Sequence, residues 1–139
     1  MNHIGMTGLV IVASLACCTA AAAQEPVFDE DGPFRRGEDI GPPASCDTMA
    51  DWIDRAPDYD GRISMAIDGV ITESHWDGAL AYVIMCDPDQ VQVMCVTYYP
   101  QEVTGDVVRF AGGYNRHAER QVVLDPCLVF PADSSSDLR

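Results

Sequence analysis

The chain has 139 residues, and 22 acidic residues against eight Lys plus Arg leave it at a net charge of −14. All eight cations are arginine, so the clustered Lys and Arg that displace counterions from phosphate are missing, which argues against general nucleic-acid binding. Such acidity favours solubility and steers anions away.

Residues 1–23 contain no Asp, Glu, Lys or Arg, and Leu9 to Cys18 is apolar apart from Ser14. Ala21-Ala22-Ala23 then supplies an A-x-A site before Gln24, the pattern of a cleaved secretion signal. The expected product is periplasmic or secreted, with no stable membrane span after cleavage. A retained anchor is the first alternative, but Gly5, Thr7, Gly8 and Thr19 dilute the ~20 apolar residues that a spanning helix needs. A lipid-anchored Cys17 is the second, since Ala16 before it is small, although Ser14 and Leu15 fit that signal poorly.

Residues 24–44 are rich in Pro, Gly and acid, with Asp29-Glu30-Asp31 and Gly41-Pro42-Pro43. No apolar period runs through them, and they read as a flexible tail in which Arg35-Arg36 is a possible contact. Ser45 to Ala56 reads as a short helix. Asp47 or Thr48 caps its start, Pro57 follows its end, and Met49, Trp52, Ile53 and Ala56 form one apolar face. This helix is expected to plug one end of a sheet.

From Gly61 the period changes to two. Ile63, Met65 and Ile67 alternate with Ser64, Ala66 and Asp68, and Gly69 permits a bulge or sharp coil in this first strand. His75-Trp-Asp-Gly78 reads as a turn, Ala79 to Cys86 as the second strand, Asp87 to Gln90 as a turn and Val91 to Tyr99 as the third. Asp106 to Tyr114 and Gln121 to Phe130 form the last hairpin around a polar loop, Asn115 to Arg120. Residues 132–139, with three serines, read as a second flexible tail.

Four cysteines lie beyond the signal: Cys46, Cys86, Cys95 and Cys127. An even number in an exported chain predicts two disulfides with three possible connectivities. No C-x-x-C pair supports a redox motif or a zinc ribbon. A turn over Asp87 to Gln90 pairs Cys86 with Val91 and sets Cys95 opposite Tyr82. At ~3.3 Å per residue the two cysteines are then about 13 Å apart, beyond the ~7 Å Cα limit for a bridge. Cys86–Cys95 is thereby disfavoured, and two connectivities remain.

Five strands, a glycine early in a long first strand, and a Gly-Asp-x-Val-x-Phe-x-Gly fourth strand resemble an OB-fold over about Gly61–Phe130. The fold class is then mainly β, a five-stranded OB-like barrel preceded by one short α-helix and stapled by disulfides, with the domain spanning 45–131. In many OB-folds a helix separates strands three and four; Pro100 to Gly105 is too short for one. An immunoglobulin-like sandwich needs more strands than this segment provides. The resemblance implies a ligand face on strands two and three, with the loops joining strands one-two and four-five. Those loops are His75 to Gly78 and Asn115 to Arg120.

Trp76, Tyr98, Tyr99, Arg109, Arg116 and Arg120 are the ligand-binding candidates that follow. Arg109 to Arg120 holds three arginines and one acid, a local basic patch suited to a carboxylate, a sugar acid or an acidic segment. The plainer explanation is a polar hairpin tip and a tryptophan covering the barrel mouth. His75, Asp77 and His117 form an alternative N/O metal set suited to zinc or copper, provided the two loops touch. Asp87, Asp89 and Asp125 beside prolines supply carboxylates for acid–base chemistry, but acids in such turns ordinarily set backbone geometry. No G-x-S-x-G, H-E-x-x-H or phosphate-cradling glycine loop is present. The expectation is a binding module for a small anion, a saccharide or a protein partner, with no cofactor required.

Overall fold

The computed structural model describes residues 16–20 and 27–132, so most of the segment read as a secretion signal and nearly all of the one read as a second tail lie outside the described residues. The elements run β1 (Phe34–Arg36), β2 (Ala44–Ser45), α1 (Met49–Asp54), β3 (Ile63–Trp76), β4 (Ala81–Met85), β5 (Gln92–Thr97), β6 (Val107–Ala118) and β7 (Gln121–Pro131).

The strands β3-β4-β5-β7-β6 neighbour one another in that order, and β6 returns to β3, closing a five-stranded barrel. All ladders in this ring are antiparallel except β5 with β7, which is parallel. This is the expected closed five-stranded β-barrel, and its strand order is consistent with the OB-like resemblance. Strand β3 is long enough to serve two neighbours: Ser64–Val70 pair with β6, and Ile71–Trp76 pair with β4. A register shift between Ile71 and Glu73 marks where it changes partner, a bend that closure requires.

Inward residues fill the barrel. Phe110, Met65, Ile67, Met85, Leu124, Val83 and Val93 are all fully buried, each contributing roughly 1.5–3 kcal/mol of transfer free energy. Met49 and Ile53 of α1 join the same core. The helix has six residues rather than the twelve expected. Thr48 occupies the N-cap position but its hydroxyl bonds back to Ser45, and Asp47 accepts from the Gln90 amide at 3.0 Å instead. Trp52 is structural: it stacks on Arg55 at 4.2 Å and packs against Gly32.

The segment read as a flexible tail departs from that expectation. Phe34–Arg36 pairs with Ile63–Met65, and Ala44–Ser45 pairs with Ile67–Asp68. Phe34 is buried against Tyr114, with ring centroids 5.0 Å apart. Arg35 donates to the carbonyls of Asp29, Glu30, Gly32 and Phe34, holding the loop before it. A charged side chain here does the work of an apolar period.

Two disulfides, Cys46–Cys86 and Cys95–Cys127, staple the fold, each with Cα atoms 5.4 Å apart. Cys86–Cys95 is not formed. The β4–β5 register differs by one residue from the expected one: Cys95 faces Val83, not Tyr82. Cys86 takes a positive φ of 77° and leaves the strand, so it has no partner in that ladder.

Candidate functional site

The parallel pairing of β5 with β7 fixes which loops meet. Gln92 faces Gln121, and the Gln92 amide bonds the Arg120 carbonyl, so the β4–β5 and β6–β7 turns share one end of the barrel. The β3–β4 turn lies at the other end, beyond the Ala81–Thr97 pair. His75 and Asp77 are therefore at the opposite end from His117. Among the described residues no three His, Cys, Asp or Glu side chains converge to hold a metal ion, and the His75–Asp77–His117 set is not assembled.

The supposed loop 115–120 is mostly strand. β6 runs to Ala118, and only Glu119 and Arg120 turn. Its arginines are held by groups from distant parts of the chain. Arg116 lies 3.6 Å from Asp54 and also donates to the Glu119 carbonyl, while Arg120 donates to the Asp89 carbonyl. The cleft between α1 and the two turns is lined by Asp47, Asp54, Asp89, Glu119, Arg116 and Arg120. The basic stretch of sequence thus becomes an acidic cleft. Arg109 is also committed: its guanidinium makes two hydrogen bonds to Asp68, at 2.6 and 2.8 Å. Those bonds raise its pKa above the ordinary arginine value.

The β3–β4 turn is built by Asp77. One carboxylate oxygen accepts from the amides of Ala79 and Leu80, at 2.8 and 2.7 Å, and Gly78 supplies a φ of +98°. These backbone bonds hold the Asp77 carboxyl below its usual pKa. The Tyr82 hydroxyl donates to the other oxygen at 3.3 Å, and the Asp77 charge pushes the phenol pKa up. Trp76 is the last residue of β3, opposite fully buried Ala81, so it sits at the barrel rim. Asp87 and Asp89 belong to the β4–β5 turn, and Asp125 precedes the cis peptide at Pro126.

Tyr98 and Tyr99 are brought to a surface that the strand pattern left undefined. They follow β5 and, with Ile40 and Leu128, wall a groove of about 310 Å³ floored by Ser64, Ala111, Gly112 and Cys127. Ile40, Leu128, Tyr98 and Tyr99 are 47%, 62%, 64% and 74% exposed. The only charged lining residues are Glu38 and Arg62, which lie 3.9 Å apart. Ser64 is occupied, its hydroxyl donating to the Gly37 carbonyl.

A second, smaller recess of about 170 Å³ lies on the outer face of β4, β5 and β7. Ile84, Met94 and Val123 stand in one row across those strands, each half-buried, with Gln92 and His117 beside them. Along β5, Met94 faces outward, Val96 shares its side of the strand but is buried, and Tyr98 continues the alternation one step past the strand. The recess and the groove are two ends of one outer face. Sequence reasoning found Tyr98 and Tyr99 but not Ile40 or Leu128: Leu128 shares the parity of inward Val122 and Leu124, and the register shift between Gly112 and Tyr114 turns it outward.

Comparison with family models, with curated proteins and with solved structures finds no match.

Proposed function

We propose that this protein is an exported interaction module that holds a protein partner on the outer face of β4, β5 and β7, anchored in the groove between Tyr98, Tyr99, Leu128 and Ile40. The observation that carries this reading is the convergence of four large, exposed apolar side chains on one groove. Contiguous exposed apolar surface is a mark of interaction sites, and tyrosine is favoured there because it offers area at low entropic cost. The two disulfides fit an oxidising, non-cytoplasmic compartment.

A protein partner is favoured over the other two ligand classes. A small anion would have to displace the acids and carbonyls that already hold Arg109, Arg116 and Arg120. A saccharide needs several directed hydrogen bonds, and on the groove floor Ser64 is already occupied. An apolar side chain inserted between the tyrosines and Leu128 requires neither.

The test is photo-crosslinking in the producing cell, with a benzophenone amino acid at Tyr98 or, as a control, at exposed Asp58. A discrete adduct from position 98 that position 58 does not give supports the reading. Equal labelling at both, or none at 98, counts against it.

A further inference from the structure

We infer that the partner segment is extended and cationic, setting Lys or Arg side chains between two apolar anchors; this rests on the interaction reading above. The outer face supplies both halves of the argument. Met94 and Tyr98 line its two apolar recesses, four residues apart along β5 and the residue that follows it. At ~3.3 Å per residue that is about 13 Å, the span of four residues in an extended partner lying along the strand.

Carboxylates occupy the space between the recesses. Tyr82 faces Val96 across β4–β5, and Asp125 follows Leu124, the partner of Cys95 on β7. Asp77 reaches the same point from the turn, accepting the Tyr82 hydroxyl at 3.3 Å. Both Asp77 and Asp125 lie close enough for their charges to oppose ionisation of that phenol. Exposed Glu73 stands two residues from His75, whose ring lies 6.4 Å from that of Tyr82.

One basic group, Arg62, stands near this face, 3.9 Å from Glu38 and lining a further recess with Asp125, so a single arginine is set against Glu38, Glu73, Asp77 and Asp125. The small recess is lined by no arginine. Arg116 and Arg120 are turned to the helix end, and the whole chain carries −14. An acidic segment is repelled from this face, whereas a cationic one is steered to it.

Selection of a displayed random-peptide library on the oxidised full chain tests the inference. The expected winners carry Lys or Arg between apolar residues about four positions apart and lose binding to Leu128→Asp. They also bind the Asp77→Asn, Asp125→Asn double variant roughly three- to tenfold more weakly at low ionic strength, a difference that disappears in about 1 M salt. Asn at position 77 keeps the oxygen that accepts from Ala79 and Leu80, and an unchanged melting temperature verifies that the turn is intact. Winners that need Leu128 but show no excess of Lys or Arg overturn this inference and leave the interaction reading standing. Winners indifferent to Leu128→Asp overturn both.

Discussion

Asp68 holds the Arg109 guanidinium by two hydrogen bonds across the β3–β6 ladder, at 2.6 and 2.8 Å, with the arginine side chain 10% exposed. An arginine so enclosed cannot leave to meet a ligand, because its departure strands Asp68 and uncovers the ladder. Asp68→Asn removes the charge and one acceptor while keeping the shape. It is expected to cost about 2 kcal/mol, read from the urea midpoint at unchanged slope.

The groove floor depends on close backbone approach. A Cβ at Gly112 would fall against the Pro126 carbonyl oxygen and 2.9 Å from the Cys127 Cα. Neither neighbour is a flexible side-chain end, so β6 and β7 must separate. Gly112→Ala is expected to destabilise by about 1–3 kcal/mol. By contrast, alanine at Gly37 meets no atom and perturbs only its positive φ. Paired chemical denaturation curves separate the two cases.

The disulfides close loops with sequence separations of 40 and 32 residues. In the chain-entropy account each contributes about 4 kcal/mol. Non-reducing peptide mapping should recover Cys46 with Cys86 and Cys95 with Cys127. The Cys95→Ser, Cys127→Ser variant should unfold at correspondingly lower denaturant.

Burial raises the Tyr114 pKa above the usual value, with Asp54 adding to the shift and Arg116 opposing it. The phenol is favoured neutral in the fold, so its contribution is complete below the unfolded tyrosine pKa of about 10 and is lost as pH rises through the folded value. Stability should therefore decline on the alkaline side, and Tyr114→Phe should flatten that decline. Thermal melts across that range check the slope.

The barrel was legible because its inward residues alternate with outward ones from Ile63 onward, a signal confined to neighbouring positions. What sequence reading missed involves distant partners. Asp68 lies 41 residues from Arg109, and no local pattern announces that pairing. Asp54 pairs with Arg116, and the Asp89 backbone carbonyl accepts from Arg120, so arginines that read as a free basic patch are held from afar. Phe34–Arg36 escaped notice because three residues cannot show a period, and Asn115–Ala118 because that part of the ladder is exposed and polar. The tyrosine groove was half visible: Tyr98 and Tyr99 stood at the end of a strand, but Ile40 comes from a segment with no apolar period.

Amide NMR shift mapping with a library-selected peptide tests the central claim most directly. The account predicts perturbations clustered at Thr97–Tyr99, Cys127, Leu128 and Ile40, extending to Met94 and Val123. Shifts confined to the cleft of Asp54, Arg116 and Arg120 at the other end of the barrel would contradict it.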